Sequence, residues 1–286
     1  MEALGRSPGR TASRAAGSSP LALQNLRVVL VRPKRSGNIG AAARAMANMG
    51  VGDLALVAPP HALNRFHAGV MAVHARHVLE RMRVYSTLAQ SVADCGLVVG
   101  ATCRRGPYRD GSRPLRDAAR EVVEMVAANR VALVFGPEDH GLANDDLRVC
   151  HRLVTIPADS RYPSLNVAQA VLLCCYEIFL AAGAAADGGG GQAQERPLAS
   201  SGAVELMYEK LRDAFLSVGF LHADNPEHIM FALRRIFGRS GLEERDVRIL
   251  LGLARQIRWY ADSGWKLRAE ASAASETSGC GRSPGR

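Results

Sequence analysis

The chain has 286 residues, 48% of them hydrophobic and 22% charged, which is enough for one ample core or for a main domain with a small companion. Lys and Arg total 36 against 27 Asp and Glu, and the net charge of +9 suits a polyanionic partner such as nucleic acid, unless it reflects an arginine-rich coding bias. The six cysteines form no C-x-x-C pair and no zinc spacing, so no metal site is expected and the thiols read as reduced and buried in a cytoplasmic protein.

The first residues, MEALGRSPGRTASRAAGSSP, have the composition of a transit peptide. Their proline and glycine argue against an amphipathic helix, so 1–23 reads as a basic tail without order. From 26 to about 183, short apolar runs alternate with helical patterns. The expected strands are 26–32, 53–58, 96–102, 131–136 and 152–158, nearly all apolar as parallel strands buried on both faces should be. Helices are expected at 38–49, 86–94, 115–128 and 164–183. This order predicts an α/β domain over 24–183, a mostly parallel sheet with helices on both faces. The apolar run 167–186 holds Gln169 and Glu177, which favours a buried helix over a membrane anchor.

Residues 184–202, with four consecutive glycines, read as a linker. Three helical stripes follow over 203–268: Met207, Leu211, Phe215 and Val218; Ile229, Leu233, Ile236 and Phe237; then Val247, Leu250, Leu251, Ala254 and Ile257. Asn225-Pro226-Glu227 opens the second, and Gly238 is expected to end it. Residues 269–286 read as a small, polar tail.

Three stretches could carry chemistry. The first, SGNIGAAARAMANMG (36–50), follows a strand as a phosphate-binding loop would. It lacks the G-x-G of a dinucleotide fingerprint, and Asp53 comes too early for a ribose-binding acid. Its informative polar residues are Asn38 and Arg44. In the second, FGPEDHGL (135–142), three adjacent side chains, Glu138, Asp139 and His140, seldom converge on one ion, so the stretch reads as a tight loop rather than a metal site. In the third, IPADSRYPSLN (156–166), a strand ends and Ser164 caps a long helix, while Asn166, a poor helix former, needs another reason to be there.

Taken in order, N-x-G…R, FG-x-E-x-x-GL and IP…SLN resemble the three motifs of the SpoU (TrmH-type) methyltransferases of the SPOUT class, over residues 24 to 183. The helical part, HIMFALRRIFGRSGLEERDVRILLGLARQI, is similar to the extension of TrmJ-type tRNA methyltransferases. The resemblance implies an S-adenosylmethionine-dependent ribose 2′-O-methyltransferase with a trefoil knot over about 131–183. It implies cofactor contacts from Ala101, Thr102, Cys103, Gly136, Ile156, Ser164 and Leu165. Arg44, Asn38, Ser164, Asn166 and Glu138 are the implied catalytic set, with Glu138 holding its loop or pairing with Arg44. It also implies a homodimer that joins one subunit's knot to its partner's Arg44 region, and a tRNA substrate methylated at anticodon-loop nucleotide 32. Ribosomal RNA, another tRNA position and a non-catalytic RNA-binding role are the alternatives. Two basic loops fit RNA phosphates: Arg32, Lys34 and Arg35 after the first strand, then Arg104, Arg105, Arg109 and Arg113 after the third. Arg234 and Arg235 add a patch on the extension.

Overall fold

The computed structural model describes residues 21–104, 106–187, 196–222, 224–264 and 266; the expected tails at 1–20 and 269–286, residues 188–195 of the expected linker with its glycine run, and residue Arg105 lie outside them. Seven strands form one sheet: β1 (Leu26–Val31), β2 (Asp53–Val57), β3 (Arg83–Tyr85), β4 (Leu97–Ala101), β5 (Arg113–Pro114), β6 (Val131–Phe135) and β7 (Arg152–Thr155). Their order is β3-β2-β1-β6-β4-β7-β5, and every neighbouring pair is parallel. The helices between them are α1 (Ser36–Asn48), α2 (Arg65–Ala72), α3 (Arg76–Glu80), α4 (Leu88–Val92), α5 (Leu115–Ala128), α6 (Asn144–Val149) and α7 (Val167–Asp187).

The period of two along a buried strand assigns side chains to the two faces. Val28 and Leu30 of β1 join a core with Ile39 and Met46 of α1, Val122 of α5 and Ile178 of α7. Val29 and Val31 turn the other way, onto Leu88 and Val92 of α4 and Leu147 of α6. On that second face Arg27 is fully buried. Its guanidinium donates to both Asp94 carboxylate oxygens at 2.6 and 3.0 Å, to Asp53 at 3.0 Å and to the Ser91 carbonyl at 2.6 Å. Arg130 and Arg83 cover the same two carboxylates from outside. Burial alone would push Asp94 up, but the hydrogen bonds from Arg27 and Arg130 outweigh it and hold the carboxyl far below its usual range.

Three further helices, α8 (Ser201–Ser217), α9 (Pro226–Ser240) and α10 (Glu244–Trp259), enclose a separate core around Met207, Leu211, Met230, Val247 and Ala254. This extension docks by main-chain bonds that the sequence pattern gives no hint of. Asn129 accepts from the Leu198 N–H and donates to the Arg196 carbonyl. Ser201 and Gly202 N–H groups reach the carbonyls of Cys95 and Ala93, and Arg152 donates to the carbonyls of Gly238 and Arg239.

Several sequence expectations change. Residues 21–25 form a 3₁₀ turn with Leu23 fully buried, so the chain is ordered before residue 24. The sequence pattern marks no element over 59–82, yet Asn64 caps α2 by accepting from the His67 N–H at 2.9 Å. Helix α7 starts at Val167 rather than Ser164 and runs on to Asp187, into the expected linker. Helix α9 continues past Gly238 to Ser240 and stops at Gly241, whose φ of +65° suits glycine. Val218 and Ile236, expected in buried stripes, are exposed. Among the thiols, Cys95, Cys174 and Cys175 are buried but Cys103 is exposed.

The Arg27 cluster yields a stability prediction. Asp94→Ala leaves the Arg27 guanidinium buried with half its partners gone, and should cost about 3 kcal/mol in denaturant unfolding. Because the folded Asp94 carboxyl is shifted down, its stabilising effect is present at neutral pH and is lost as pH falls through and below the ordinary carboxylate range. The wild-type advantage over Asp94→Ala should therefore shrink in acid.

Candidate active site

Strands β1 and β6 pair in register, Leu30 opposite Phe135, so the loops leaving their C-terminal ends lie side by side. The loop after β6 is shaped by two glycines. A Cβ on Gly136 would collide with the backbone of Gly141 and Leu142, and the Gly141 N–H closes the turn onto the Pro137 carbonyl at 2.9 Å. That closure turns Glu138 toward the start of α1. Its carboxylate accepts from the Asn38 side-chain amide at 2.8 Å and from the Lys34 and Arg35 N–H groups at 3.0 and 3.4 Å. Burial would raise the Glu138 pKa; these hydrogen bonds outweigh it and hold the group below the usual range, ionised.

Asn38 carries the link onward. Its carbonyl oxygen accepts from the Asn166 side-chain amide at 3.1 Å. Asn166 in turn accepts from the Ala168 N–H at 2.9 Å and, through its main-chain carbonyl, from the Ala170 N–H. It is therefore Asn166, not Ser164, that caps α7, and this explains an asparagine at that point. Three stretches that are up to 128 residues apart thus meet in one chain of hydrogen bonds.

Beside this chain opens a cleft beyond the C-terminal ends of β4, β6 and β7. Open α/β sheets bind ligands at this edge. Ala101, Thr102 and Cys103 contribute to its wall from β4, and Gly136 from β6. Ile156, Ser164 and Leu165 contribute from the stretch between β7 and α7, and Glu138 borders it too. Arg109 stands at the rim, its Nε buried with no partner. The mixture of an apolar wall with a few polar groups suits a small organic ligand such as a nucleoside.

Arg44 behaves differently. It is exposed, and it makes no hydrogen bond or ion pair among the described residues, Glu138 included. It lies six residues past Asn38, about 9 Å along α1 and about two-thirds of a turn around it. It therefore cannot share the face that Asn38 turns to Glu138. Gly40 of the same helix has a packing reason: a Cβ there would strike the Ala68 carbonyl of α2.

The candidate RNA-binding cations divide. Lys34 pairs with Asp139, and Arg104 donates to the Asp139 carbonyl, both at the mouth of the cleft. Arg35 is exposed, with no side-chain partner among the described residues. Arg32 is tied by both guanidinium nitrogens to the buried Asp146 carboxylate, and Arg113 to Glu121. Arg234 is half-buried, paired with Glu205 and stacked 4.3 Å above the Tyr208 ring. Arg109 and Arg235 donate to the carbonyls of Leu142 and Asp110. Those five serve the fold, which a count of positive charges along the sequence cannot reveal. Among the described residues no three His, Cys, Asp or Glu side chains gather as a metal site.

Comparison with known proteins agrees with this arrangement. Residues 25–176 match the SpoU rRNA methylase family, and residues 202–271 match the C-terminal domain of the tRNA methyltransferase TrmJ. The chain is 38% identical over 256 residues to the tRNA (cytidine/uridine/adenosine-2′-O-)-methyltransferase TrmJ of Pseudomonas aeruginosa, covering 84% of this chain and 96% of the relative. The tRNA (cytidine/uridine-2′-O-)-methyltransferase TrmJ of Salmonella typhimurium is 36% identical, with 82% and 97% covered. The crystal structure of TrmJ from Z. mobilis superposes with a TM-score of 0.70 at 33% identity, over 81% of this chain and 98% of that one. The chain belongs to the SpoU methylase family, on its TrmJ branch.

Proposed function

We propose that the chain is an S-adenosylmethionine-dependent tRNA ribose 2′-O-methyltransferase that acts as a homodimer in the cytoplasm, on nucleotide 32 of the anticodon loop. The observation that carries the reading is the hydrogen-bonded chain Glu138–Asn38–Asn166 at the lip of the cleft. It holds a polar, preorganised face beside the cleft. The target nucleotide rests on the likeness of the extension to TrmJ-type enzymes. Labelled methyl transfer to total tRNA and rRNA, followed by nucleotide mapping, tests it; label at another position would overturn that assignment.

S-adenosylmethionine, when bound, supplies an electrophilic methyl group on a sulfonium. Ala101, Thr102, Cys103, Gly136, Ile156, Ser164 and Leu165 would hold it, the last two joining it to the start of α7. The segment from β6 to α7 is the expected knot, and the position of β6 between β1 and β4 supports a chain that returns through the middle of the sheet. Asn38 and Asn166 have their amide orientations set by Glu138 and by the α7 N–H groups, so both present fixed polar edges to a ribose. Arg44 is a poor base, because a guanidinium stays protonated at neutral pH. Its role is to grip a neighbouring phosphate and to stabilise charge growing on the 2′-oxygen. Lys34, Arg35 and Arg104 stand where the RNA backbone would approach.

A second subunit explains two features at once. Helix α7 is long and apolar enough to cross a membrane, yet one face packs in the core and Glu177 pairs with Arg116. Its other face exposes Leu172, Leu173, Tyr176, Phe179 and Leu180, one continuous stripe. A second copy seated on that stripe would cover it and could bring its own Arg44 to the cleft.

Arg44→Ala should retain cofactor binding by calorimetry and lose methyl transfer by about 100-fold or more. Glu138→Gln must turn an amide N–H toward one of its three donors; the rate should fall about 10-fold. The stability gap between wild type and Glu138→Gln, present at neutral pH, should close as pH falls through the carboxylate range. Leu173→Glu with Tyr176→Glu should sediment as a monomer and be inactive, while mixing Arg44→Ala and Asn166→Ala chains should restore part of the activity through mixed dimers.

A further inference from the structure

The wall of the cleft between β4 and α5 is held from outside the catalytic domain. Tyr108, in that loop, meets Phe231 of α9 edge to face, with ring centroids 4.8 Å apart and planes at 64°. One turn further along α9, Arg235 donates to the Asp110 carbonyl at 3.0 Å and lies against Gly111. On its inner side the same loop closes over the cleft. Arg109 donates to the Leu142 carbonyl at 2.9 Å and Arg104 to the Asp139 carbonyl at 3.4 Å, and both side chains line the cleft.

Within the catalytic domain the loop is anchored by those two arginine bonds and by Tyr108, which also packs against the core that includes Val98 and Leu142. Gly106 and Gly111 adopt φ of +146° and +85°, conformations open to glycine and to few other residues. Two main-chain bonds, Arg109 N–H to Gly106 and Ser112 N–H to Arg109, make its internal framework. A segment with two such glycines has many unbound conformations, and cofactor affinity falls with the fraction that is competent. The contact with α9 selects one of them.

We propose that α9 is part of the cofactor site, with Phe231 and Arg235 as positioning residues that keep the loop bearing Thr102, Cys103 and Arg109 in its binding conformation. The inference rests on reading the cleft as the S-adenosylmethionine site. It also gives the helical extension a second duty, distinct from any contact with RNA.

Calorimetry on the full chain with S-adenosylmethionine and S-adenosylhomocysteine tests it. Phe231→Ala and Arg235→Ala should each raise Kd about 3- to 10-fold, the size set by the loss of one edge-to-face or hydrogen-bonded contact. For Phe231→Ala, kcat at saturating cofactor and KM for RNA should stay near wild type. Phe231→Tyr, which keeps the ring, should restore affinity, and Tyr108→Ala combined with Phe231→Ala should be no worse than either alone. Amide exchange at 106–112 should speed up in Phe231→Ala. A folded Phe231→Ala chain with unchanged Kd overturns the proposal; where that chain does not fold, an unchanged Kd for Arg235→Ala, at the surface, overturns it. A wild-type chain that binds neither compound overturns the cofactor reading itself, a result distinct from unaltered variants.

Discussion

The Glu138 carboxylate is the constraint on which the site depends. It is ionised, partly removed from water, and met by three N–H donors from the stretch that joins β1 to α1. A carboxylate so placed must keep those donors or carry an uncompensated charge, which is far more costly than losing a neutral hydrogen bond. It therefore fixes the start of α1 against the loop after β6, and Asn38 then fixes the start of α7. None of this is possible unless β6 pairs with β1. The crossover that puts β6 in the middle of the sheet, rather than at an edge, makes the active site a local event in space although it is remote in sequence.

At the opposite end of the same strand, Arg27 plays the corresponding part for the fold. One buried cation draws Asp53 from β2 and Asp94 from the turn after α4, while Arg83 and Arg130 complete the balance of charge. The arrangement needs several arginines for one structural cluster, and similar pairs absorb Arg32, Arg113, Arg152 and Arg234. The total of 36 Lys and Arg, rather than the net charge of +9, therefore overstates the free positive surface. Arg44 and Arg35, both exposed, are among the described cations that no carboxylate holds, and so remain available to phosphate.

The parts of the structure legible in sequence are those with a strong local signal. Five apolar strands and the long helices were read to within a few residues, because burial on two faces leaves almost no polar residue in them. The elements missed, α2, α3, α6, β3 and β5, are short or exposed, and two-residue β5 has no pattern to read. Motif residues were legible as types, while their duties were not. Ser164 looked like the cap of α7 since serine commonly is one, yet the geometry gives that task to Asn166, whose side chain also reaches across to Asn38. Capping is a statement about one turn of backbone, and sequence cannot say where the turn begins when two candidates stand two positions apart.

The extension shows the same limit at a larger scale. Its stripes announced three helices, and the glycine run before them read as a linker. Docking instead relies on main-chain groups, at Leu198, Ser201, Gly202, Gly238 and Arg239, which every residue possesses and no sequence advertises. His151 lies in this seam. Burial first, and then the nearby charges of Arg152 and Arg234, push its pKa down to about 4, so it stays neutral where an exposed imidazole would begin to take up a proton. Beside it the Arg152 guanidinium, satisfied by the Gly238 and Arg239 carbonyls, and the shared main-chain amides hold the extension against the sheet. The glycine-rich stretch therefore connects two bodies already held together by their own surfaces, and the loop over the cleft, touching both, is the point at which that union meets the chemistry.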